Sequence, residues 1–379
     1  MILDEKRTMQ QKFFRQFAEN EFNKELLERL DQTGAFDYTI YRKMADYGIH
    51  ALRIPKEYGG CGAGYLSYAL LIEEFARVSA VMSIYANNSN SLGIGPLLIS
   101  GTKEQKEKYL PKLADGSIIM AFALTEPEAG SDAGSIMTTA VRDGDAFVLN
   151  GRKCFISGAP IADYCLVFAK TDMKAKGTRG ISTFIVDMKL PGVSVGTPER
   201  KMGIEGFPTA DVVFENVRVP ETELVGQLNN GFYNAMKTLD GGRLGMAAQA
   251  VGIAQNCLEE ATQYAKDRKQ FGKPIGKFQG ISFMLADMAT DVEAARQLVY
   301  HAATLLDEGK PATKECSIAK FFAAEAANRC AYKAVQVFGG YGYMKDYKVE
   351  RLYRDARICS IYEGTSQIQQ MVIASHILQ

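Results

Sequence analysis

The residue whose type and position best suit acid–base chemistry is Glu363, a carboxylate that stands directly before a predicted helix start at Gly364-Thr365. Glycines in the surrounding stretch QVFGGYGYMKDYKVERLYRDARICSIYEGTSQIQ (336–369) allow close approach to the backbone. At a helix N-terminus, a carboxylate stabilises the helix dipole by roughly 0.3–1 kcal/mol. In an apolar, dehydrated cleft, the same group would have a raised pKa and act as a base. The pattern is consistent with both interpretations.

Two segments in the middle of the chain have residues suited to a planar polar ligand. ALTEPEAGSDAGS (123–135) combines small residues, the hydroxyls of Thr125 and Ser131, and free backbone amides that suit a flat ring or a phosphate. In RKCFISG (152–158), strand alternation puts Phe155 and Ser157 on one face. From spacing alone, an ordinary polar turn and a core Phe beside a surface Ser are the favoured interpretations.

Two further segments carry cationic side chains. In LDGGR (239–243), Asp240 and Arg243 are one helical turn apart, which predicts either a surface salt bridge or a pair that holds a polar ligand such as a nucleotide-thiol tail. In AKDRKQFG (265–272), the planar guanidinium of Arg268 suits a pyrophosphate, and a solvated basic patch is the alternative. The sequence has neither a GxGxxG motif after a strand nor a GxxxxGK motif, so a dinucleotide would need another kind of cradle.

The elements that must position these residues change in type along the chain. Apolar residues at helical spacing predict helices up to residue 117, including a capping box at Thr102 and Gln105. From 118 to 227, prolines, turn pairs such as Asp143-Gly144 and Asn150-Gly151, and short β-rich runs predict an antiparallel sheet. Helical periodicity returns from 228 to 379, with a first long helix followed by helices at about 277–308, 313–337 and 364–377.

This order predicts an α+β fold with an N-terminal helical domain (1–117), a middle antiparallel β domain (118–227) and a C-terminal four-helix bundle (228–379). Length agrees, since 379 residues suffice for two or three cores. The numbers of basic and acidic residues are equal, at 44 each, which gives no reason to expect nucleic acid or an anionic membrane as partner.

Other sequence features narrow the class of protein further. No apolar run approaches the roughly 18 residues of a membrane span, and the N-terminus resembles neither a secretory signal nor a transit peptide, so we expect a cytoplasmic protein. Seven cysteines without a CxxC pair predict reduced thiols. Three histidines without metal-ligand spacing give no indication of a metal site.

Taken together, these segments resemble the acyl-CoA dehydrogenase family over essentially the whole chain. Two stretches with many fixed residue types carry the resemblance, ALTEPEAGSDAGS at 123–135 and QVFGGYGYMKD with VER and RD at 336–355. LDGGR, KDRKQFG and IYEGTSQIQ are most similar to the short-chain, butyryl-CoA branch. The resemblance implies FAD as cofactor, an acyl-CoA or enoyl-CoA substrate, a homotetramer, and electron-transfer flavoprotein as the electron partner.

The resemblance also implies roles for individual residues. Glu363 takes the α-proton while the β-hydride goes to flavin N5, and the backbone N–H of the same residue polarises the thioester oxygen together with a ribityl hydroxyl of FAD. The product is a trans-2-enoyl-CoA. The flavin site is lined by Phe122, Leu124, Thr125, Ser131, Phe155 and Ser157. The FAD of a neighbouring subunit is held by Arg268, Gln279, Gln336, Phe338, Gly339 and Gly340, and FAD is held from the other side by Thr365 and Gln367. The CoA thioester is contacted by Ser131, Asp240, Arg243 and Gly364.

Several positions depart from the family pattern. Many relatives carry Trp and Thr at the positions of Phe155 and Ser157, and some keep the base at the position of Gly242. Glu205 and Phe207 stand where relatives often show Arg and a small hydroxyl residue, and the sequence assigns them no role.

The acyl group and the direction of the reaction stay open at this point. A helix at IYANNSNSLGIGP (84–96) is expected to border the acyl pocket, either as a plain helix or as a pocket end that hydrogen-bonds a polar or aromatic acyl chain. An enoyl-CoA reductase working with electron-transfer flavoprotein is the alternative enzyme. A non-catalytic assembly factor is the alternative from another class, and the presence of Glu363 argues against it.

Overall fold

Helices form the two ends of the chain and strands form its middle, as the sequence predicts. The computed structural model describes residues 2–175 and 177–378; Met1 and Gln379, which bound the predicted domains, lie outside the described residues, as does Lys176. The helices are α1 (Glu5–Glu21), α2 (Lys24–Thr33), α3 (Tyr38–Asp46), α4 (Tyr65–Val78), α5 (Ala80–Asn90), α6 (Gly95–Ser100), α7 (Lys103–Ala114), α8 (Gly231–Asp267), α9 (Gln279–Asp307), α10 (Thr313–Phe338), α11 (Lys348–Arg357) and α12 (Ser366–Ile377).

The strands fall almost entirely between α7 and α8. They are β1 (Met120–Ala123), β2 (Thr139–Asp143), β3 (Ala146–Ser157), β4 (Tyr164–Lys170), β5 (Ile181–Asp187), β6 (Val193–Val195), β7 (Thr209–Pro220), β8 (Leu224–Val225), β9 (Lys269–Gln270) and β10 (Lys273–Pro274). The first eight form one sheet in the order β6-β7-β3-β2-β4-β5-β8, with β1 paired to β4. The short strands β9 and β10 form a separate hairpin in the loop between α8 and α9.

The sheet is mainly antiparallel, as predicted, but two of its strand pairs are parallel. Both β1 and β2 run parallel to β4. Because β1 and β2 therefore point the same way, the connection 124–138 must return along the sheet before β2 begins. The predicted turn at Asn150-Gly151 is wrong, since Gly151 lies inside β3 at a register shift. Glycine is needed there because a Cβ would lie 2.4 Å from the Thr138 hydroxyl oxygen.

Side-chain caps explain where several N-terminal helices begin. The side chains of Asp4, Asn23 and Asp37 each accept a hydrogen bond from a backbone N–H in the first turn of α1, α2 and α3. The capping box predicted at Thr102 and Gln105 is confirmed at the start of α7. The predicted helix at 84–96 is interrupted, because the backbone at Ser91 leaves the helical region and separates α5 from α6.

The C-terminal region is built around α8, which packs against α4 and α10. Every residue of α8 from 240 to 250 is buried, and most are glycine or alanine. Small side chains let neighbouring helices approach closely, so residues from three elements meet at the middle of this helix. The three later helices predicted by periodicity correspond to α9, α10 and α12. The sequence did not predict α11, which lies inside the glycine-rich stretch 336–369.

Phe207, one of the two departures in the β domain, joins that domain to the N-terminal helices. Its ring is buried, with its centroid 5.9 Å from that of Phe36 and 5.6 Å from that of Tyr85. The Tyr85 hydroxyl donates to the backbone carbonyl of Gly206 at 2.8 Å. The other departure, Glu205, lies 3.8 Å from the ammonium of Lys201. Both residues therefore have a structural explanation at this junction.

The helices and the cysteines bear on membrane insertion and on redox state. Within residues 2–175 and 177–378, none of the helices has the length and apolarity to cross a membrane. All seven cysteines are free thiols, of which Cys61 is exposed and the others are buried.

The substitution Phe207→Ala is expected to lower the free energy of unfolding by about 3–5 kcal/mol, because it removes a buried ring between two domains and leaves a cavity. Denaturant unfolding followed by far-ultraviolet circular dichroism measures the change. Tyr233→Ala, at a half-exposed aromatic residue, is the control and should change stability little. A Phe207→Ala midpoint equal to the wild-type midpoint would show that the junction does not stabilise the fold.

Candidate active site

Glu363 occupies a tight turn between the short helical turn after α11 and the start of α12. Its φ angle is 50° and that of Gly364 is 95°, so two successive residues have left-handed backbone conformations. A non-glycine residue in this region is uncommon, and such strain costs on the order of 1–3 kcal/mol. Lys320 Nζ and Gln369 Nε2 both donate to the Gly364 carbonyl, at 2.7 and 2.9 Å. These two side chains hold the turn in place.

The carboxylate of Glu363 is packed against α8 at Gly242. A Cβ at position 242 would lie 2.0 Å from Glu363 Oε2 and 3.3 Å from a methyl carbon of Leu92. Oε2 is buried and has no hydrogen-bond partner among the described residues. Burial raises the pKa of the Glu363 carboxyl to about 7, although the Lys320 and Arg243 charges oppose the shift. The group is thus suited to exchange a proton near neutral pH.

Asp240 and Arg243 lie on α8 beside this carboxylate and form a buried pair. Their side chains are hydrogen-bonded at 3.0 Å, and Asp240 also accepts from the Thr313 hydroxyl at 2.8 Å. The interpretation as a surface salt bridge is wrong, because the middle of α8 is enclosed by the surrounding helices. Arg243 Nε is buried without a partner in the described chain. The pair therefore retains a donor that a polar ligand would satisfy.

A second group of predicted residues meets at one end of the sheet, where the loop after β1 passes the end of β3. The backbone N–H of Cys154 donates to the Thr125 carbonyl at 3.0 Å, which joins the two segments. Phe155 has a φ angle of 57°, lies within a register shift of β3, and exposes 68% of its surface. Ile156 is buried and Ser157 is exposed, so Phe155 and Ser157 share a face as predicted. Of the predicted flavin-site residues, Phe122 lies in β1, Leu124, Thr125 and Ser131 lie in the loop after it, and Phe155 and Ser157 lie at the end of β3.

A buried ion pair under this loop was not predicted. Lys153 is fully buried, and its ammonium donates to Glu126 at 2.7 Å and to the Leu124 carbonyl at 3.1 Å. The Glu126 carboxylate also accepts from the backbone N–H groups of Met137 and Thr138. Burial lowers the pKa of Lys153 to about 8, while the Glu126 charge opposes this shift. The pair therefore fixes the returning loop on the sheet.

A third group lies at the far end of the helical bundle. Arg268, Phe338, Gly339 and Gly340 line a cleft of about 640 Å³, and the Arg268 guanidinium lies 5.3 Å from the ring centroid of Tyr341. Arg268 forms no ion pair with any carboxylate in the described part of the chain. Gly339 and Gly340 have open space where a Cβ would stand. An unpaired guanidinium beside open backbone fits a phosphate-bearing ligand such as the FAD expected from the sequence.

The remaining predicted site residues lie on α9, on α10 and at the start of α12. Gln279 begins α9 and Gln336 lies near the end of α10; both are exposed and stand outside the cleft lining. Thr365 caps α12 by accepting from the Ile368 N–H at 3.3 Å, and Gln367 is exposed in its first turn. The cleft lining shares no residue with the Glu363 turn, so one chain presents two separate parts of the predicted cofactor site.

The segment 84–96, which was expected to border the acyl pocket, contains residues with structural hydrogen bonds and one residue, Asn87, that belongs to a buried polar pair. Asn88, Ser89 and Asn90 make structural hydrogen bonds, to the Met120 carbonyl, the His50 ring and the Ile49 carbonyl. Asn87, in contrast, accepts from the hydroxyl of Tyr68, a buried residue of α4. The Tyr68 oxygen lies 1.9 Å from where a Cβ at Gly245 would stand, one turn of α8 beyond Gly242. A polar pair therefore lies about one turn of α8 from the Glu363 carboxylate.

The chain matches three family models in order along its length. They are acyl-CoA dehydrogenase, N-terminal domain at residues 4–117, middle domain at 121–217 and C-terminal domain at 229–378. Over 379 residues and 100% of both chains, it is 56% identical to the caffeyl-CoA reductase-Etf complex subunit CarC of Acetobacterium woodii. It is 54% identical to the 3-(aryl)acrylate reductase of Clostridium sporogenes, again over 379 residues and 100% of both chains. The structure of butyryl-CoA dehydrogenase from Megasphaera elsdenii superposes with a TM-score of 0.97 and 44% identity, and 100% of each chain is covered.

The substitution Gly242→Ala is expected to displace the Glu363 carboxylate from its buried position, because the new Cβ would overlap Oε2. The pKa of the carboxyl should then fall from about 7 toward its ordinary value of about 4.3. Infrared difference spectroscopy against pH measures this, with Glu363→Gln identifying the carboxyl band. Gly280→Ala, at an exposed helical glycine with open space around it, is the control. A band that still titrates near pH 7 in Gly242→Ala would contradict the packing described.

Proposed function

The chain belongs to the acyl-CoA dehydrogenase family, and from this membership we propose that Glu363 abstracts the α-proton of an acyl-CoA thioester. The family consists of FAD-dependent oxidoreductases, and FAD is the cofactor. The observation that carries the assignment of the base is the buried, unpartnered Oε2 of Glu363, whose pKa is raised to about 7. A base needs a pKa near the working pH to be both ionised and able to hold a proton.

The residues around Glu363 support the rest of the reaction. Bound FAD supplies the hydride acceptor. The backbone N–H of Glu363 has no hydrogen-bond acceptor among the described residues, so it is available to a thioester oxygen on which negative charge develops. Asp240 and Arg243 would hold the CoA part of the substrate, and the unpartnered Nε of Arg243 supports this role. Enclosure of the carboxylate between α8 and the 358–364 turn keeps water from competing for the proton.

We also propose that the complete cofactor site forms between subunits of a homotetramer. The flavin end would be held by the loop after β1 and the end of β3, with the Phe155 ring against the flavin. Arg268, Phe338, Gly339 and Gly340 of a neighbouring subunit would hold the phosphates, assisted by Gln279 and Gln336. Thr365 and Gln367 would contact FAD from the other side. The separate positions of the cleft and the Glu363 turn support this division.

The reverse reaction, reduction of an arylacrylyl-CoA with electron-transfer flavoprotein as partner, is our second candidate function. Two relatives with more than half of their residues identical are named as reductases of caffeyl-CoA and of 3-(aryl)acrylates, the first within an Etf complex. The Tyr68–Asn87 pair one turn from Glu363 offers a polar partner for a hydroxyl on an aromatic acyl group. Such a pair is of no use to a saturated butyryl chain.

The substitution Glu363→Gln should leave folding, FAD content and thioester binding nearly unchanged while slowing flavin reduction by about 10²–10⁴-fold or more, because an amide cannot accept the proton. Anaerobic mixing with butyryl-CoA, followed at the flavin absorption band, measures the rate. A carboxylate at the alternative position, Gly242→Glu, should recover part of the rate in a Glu363→Ala background, where its Cβ has room. Wild-type bleaching by Glu363→Gln would rule out Glu363 as the base.

For the second function, Tyr68→Phe should reduce the preference for a ring-hydroxylated cinnamoyl-CoA over unsubstituted cinnamoyl-CoA by about threefold to tenfold, the worth of one hydrogen bond. The ratio of kcat/KM values for the two thioesters, measured with reduced enzyme, gives the preference. Tyr332→Phe, on the exposed side of α10, is the matched control. Arylacrylyl thioesters that neither bind nor reoxidise the reduced enzyme would reject this function and leave the dehydrogenation proposal intact.

A further inference from the structure

Lys320 is a lysine buried in the middle of α10, with about 1% of its surface exposed. Its ammonium donates to the Gly364 carbonyl at 2.7 Å. No carboxylate in the described part of the chain lies within ion-pair distance of it. A buried charge is costly unless it is paired or hydrogen-bonded, so an unpaired ammonium kept in a helical core requires an explanation.

The surroundings of Lys320 identify the charge that it faces. Arg243 is the other cation that acts on Glu363, but it is already paired with Asp240 at 3.0 Å. Glu325 of α10 is occupied as well, because it accepts from the hydroxyls of Ser360 and Ser366. The Cys359 thiol also faces Lys320, but burial raises its pKa to about 12 and it stays neutral. Among the carboxylates acting on Lys320, this leaves Glu363, whose Oε2 has no hydrogen-bond partner in the described chain.

We propose that Lys320 is the positioning residue of the base: its ammonium fixes the Gly364 carbonyl and supplies the counter-charge of the ionised Glu363 carboxylate. The first effect is mechanical, since the hydrogen bond holds a turn in which two successive residues have left-handed backbones. The second effect is electrostatic and favours the ionised carboxylate that accepts the proton. The proposal rests on the assignment of Glu363 as the base.

Gln369 distinguishes the mechanical effect from the electrostatic effect, because it holds the turn by hydrogen bonds but supplies no counter-charge. Its side-chain amide donates to the Gly364 carbonyl at 2.9 Å and to the Glu363 carbonyl at 3.3 Å, but it carries no charge. Removing Gln369 should therefore loosen the turn without changing the charge near the carboxylate. Removing the charge of Lys320 should change the titration of the carboxylate even when a hydrogen-bond donor is retained.

The direction of the pH effect follows from burial and charge. Burial raises the pKa of Glu363 to about 7 while Lys320 opposes the rise, and burial lowers the pKa of Lys320 to about 8. The other titratable groups facing the carboxylate are Arg243 from α8, Tyr68 from α4 and Tyr362 from its own turn. The two tyrosines have raised pKa values through burial and stay neutral here. Without the Lys320 charge, the pKa of Glu363 should rise further.

The test compares Lys320→Met, Lys320→Gln and Lys320→Arg with the wild-type holoenzyme. The two neutral variants should move the acid limb of flavin reduction by butyryl-CoA upward by about one pH unit or more, and lower the rate at pH 7 by about fivefold or more. Lys320→Arg should keep the wild-type profile. Lys333→Met, at a lysine of the same helix paired with Asp287, is the control and should not move the limb.

A second measurement does not depend on turnover. The infrared carboxyl band that is lost in Glu363→Gln should titrate at higher pH in Lys320→Gln and at the wild-type pH in Gln369→Leu. A uniform loss of rate at every pH, with the band unmoved, would overturn the proposal and leave Lys320 as a structural support. A band shift in Gln369→Leu as large as in Lys320→Gln would overturn it too. Wild-type bleaching by Glu363→Gln would instead remove the base assignment, while the band still reports on Lys320.

Discussion

The rest of the site depends on one constraint, the burial of a single carboxylate against the backbone of α8. At Gly242 that helix has no side chain, and the Glu363 oxygen occupies the space. Only a left-handed turn brings the carboxylate to this position from the end of α11, so the constraint extends to the backbone of Glu363 and Gly364. The strain of this turn must be compensated by hydrogen bonds from the surrounding helices.

The groups that compensate for the strain of this turn lie on helices rather than on loops. This explains why long helices surround a small site. α10 presents Lys320, Glu325 and Asn328 to the 356–366 segment, and each makes at least one hydrogen bond with it. From α12, Gln369 reaches back to the same turn. A rigid helix holds such groups more precisely than a mobile loop. The position of the Glu363 carboxylate is thus set by side chains from two other helices.

Sequence patterns predicted the helices and strands well where the apolar periodicity was strong, and poorly where backbone geometry determined the local structure. The α–β–α order, most long helices and the shared face of Phe155 and Ser157 followed from spacing. The continuation of β3 through Gly151, the break at Ser91 and helix α11 did not, because each depends on the backbone geometry and packing of the folded chain rather than on the residue pattern. Lys153 and Lys320 were missed for the same reason. A lysine within an apolar run is usually a solvated side chain, and only its neighbours in the fold show that it is buried.

A carboxyl with a pKa near 7 has a consequence for the direction of the reaction. Because burial raises its pKa to about 7, such a group is able both to donate and to accept a proton near neutral pH. Under the proposed assignment, the same residue would act as the base in dehydrogenation and as the acid in enoyl reduction, with no change in geometry. Microscopic reversibility requires both reactions to pass through one transition state. The acid–base site therefore favours neither the dehydrogenation nor the enoyl reduction. Direction must be set by the potential of the electron partner and by the acyl group, because conjugation of the enoyl double bond with an aromatic ring would stabilise an enoyl thioester relative to the saturated one.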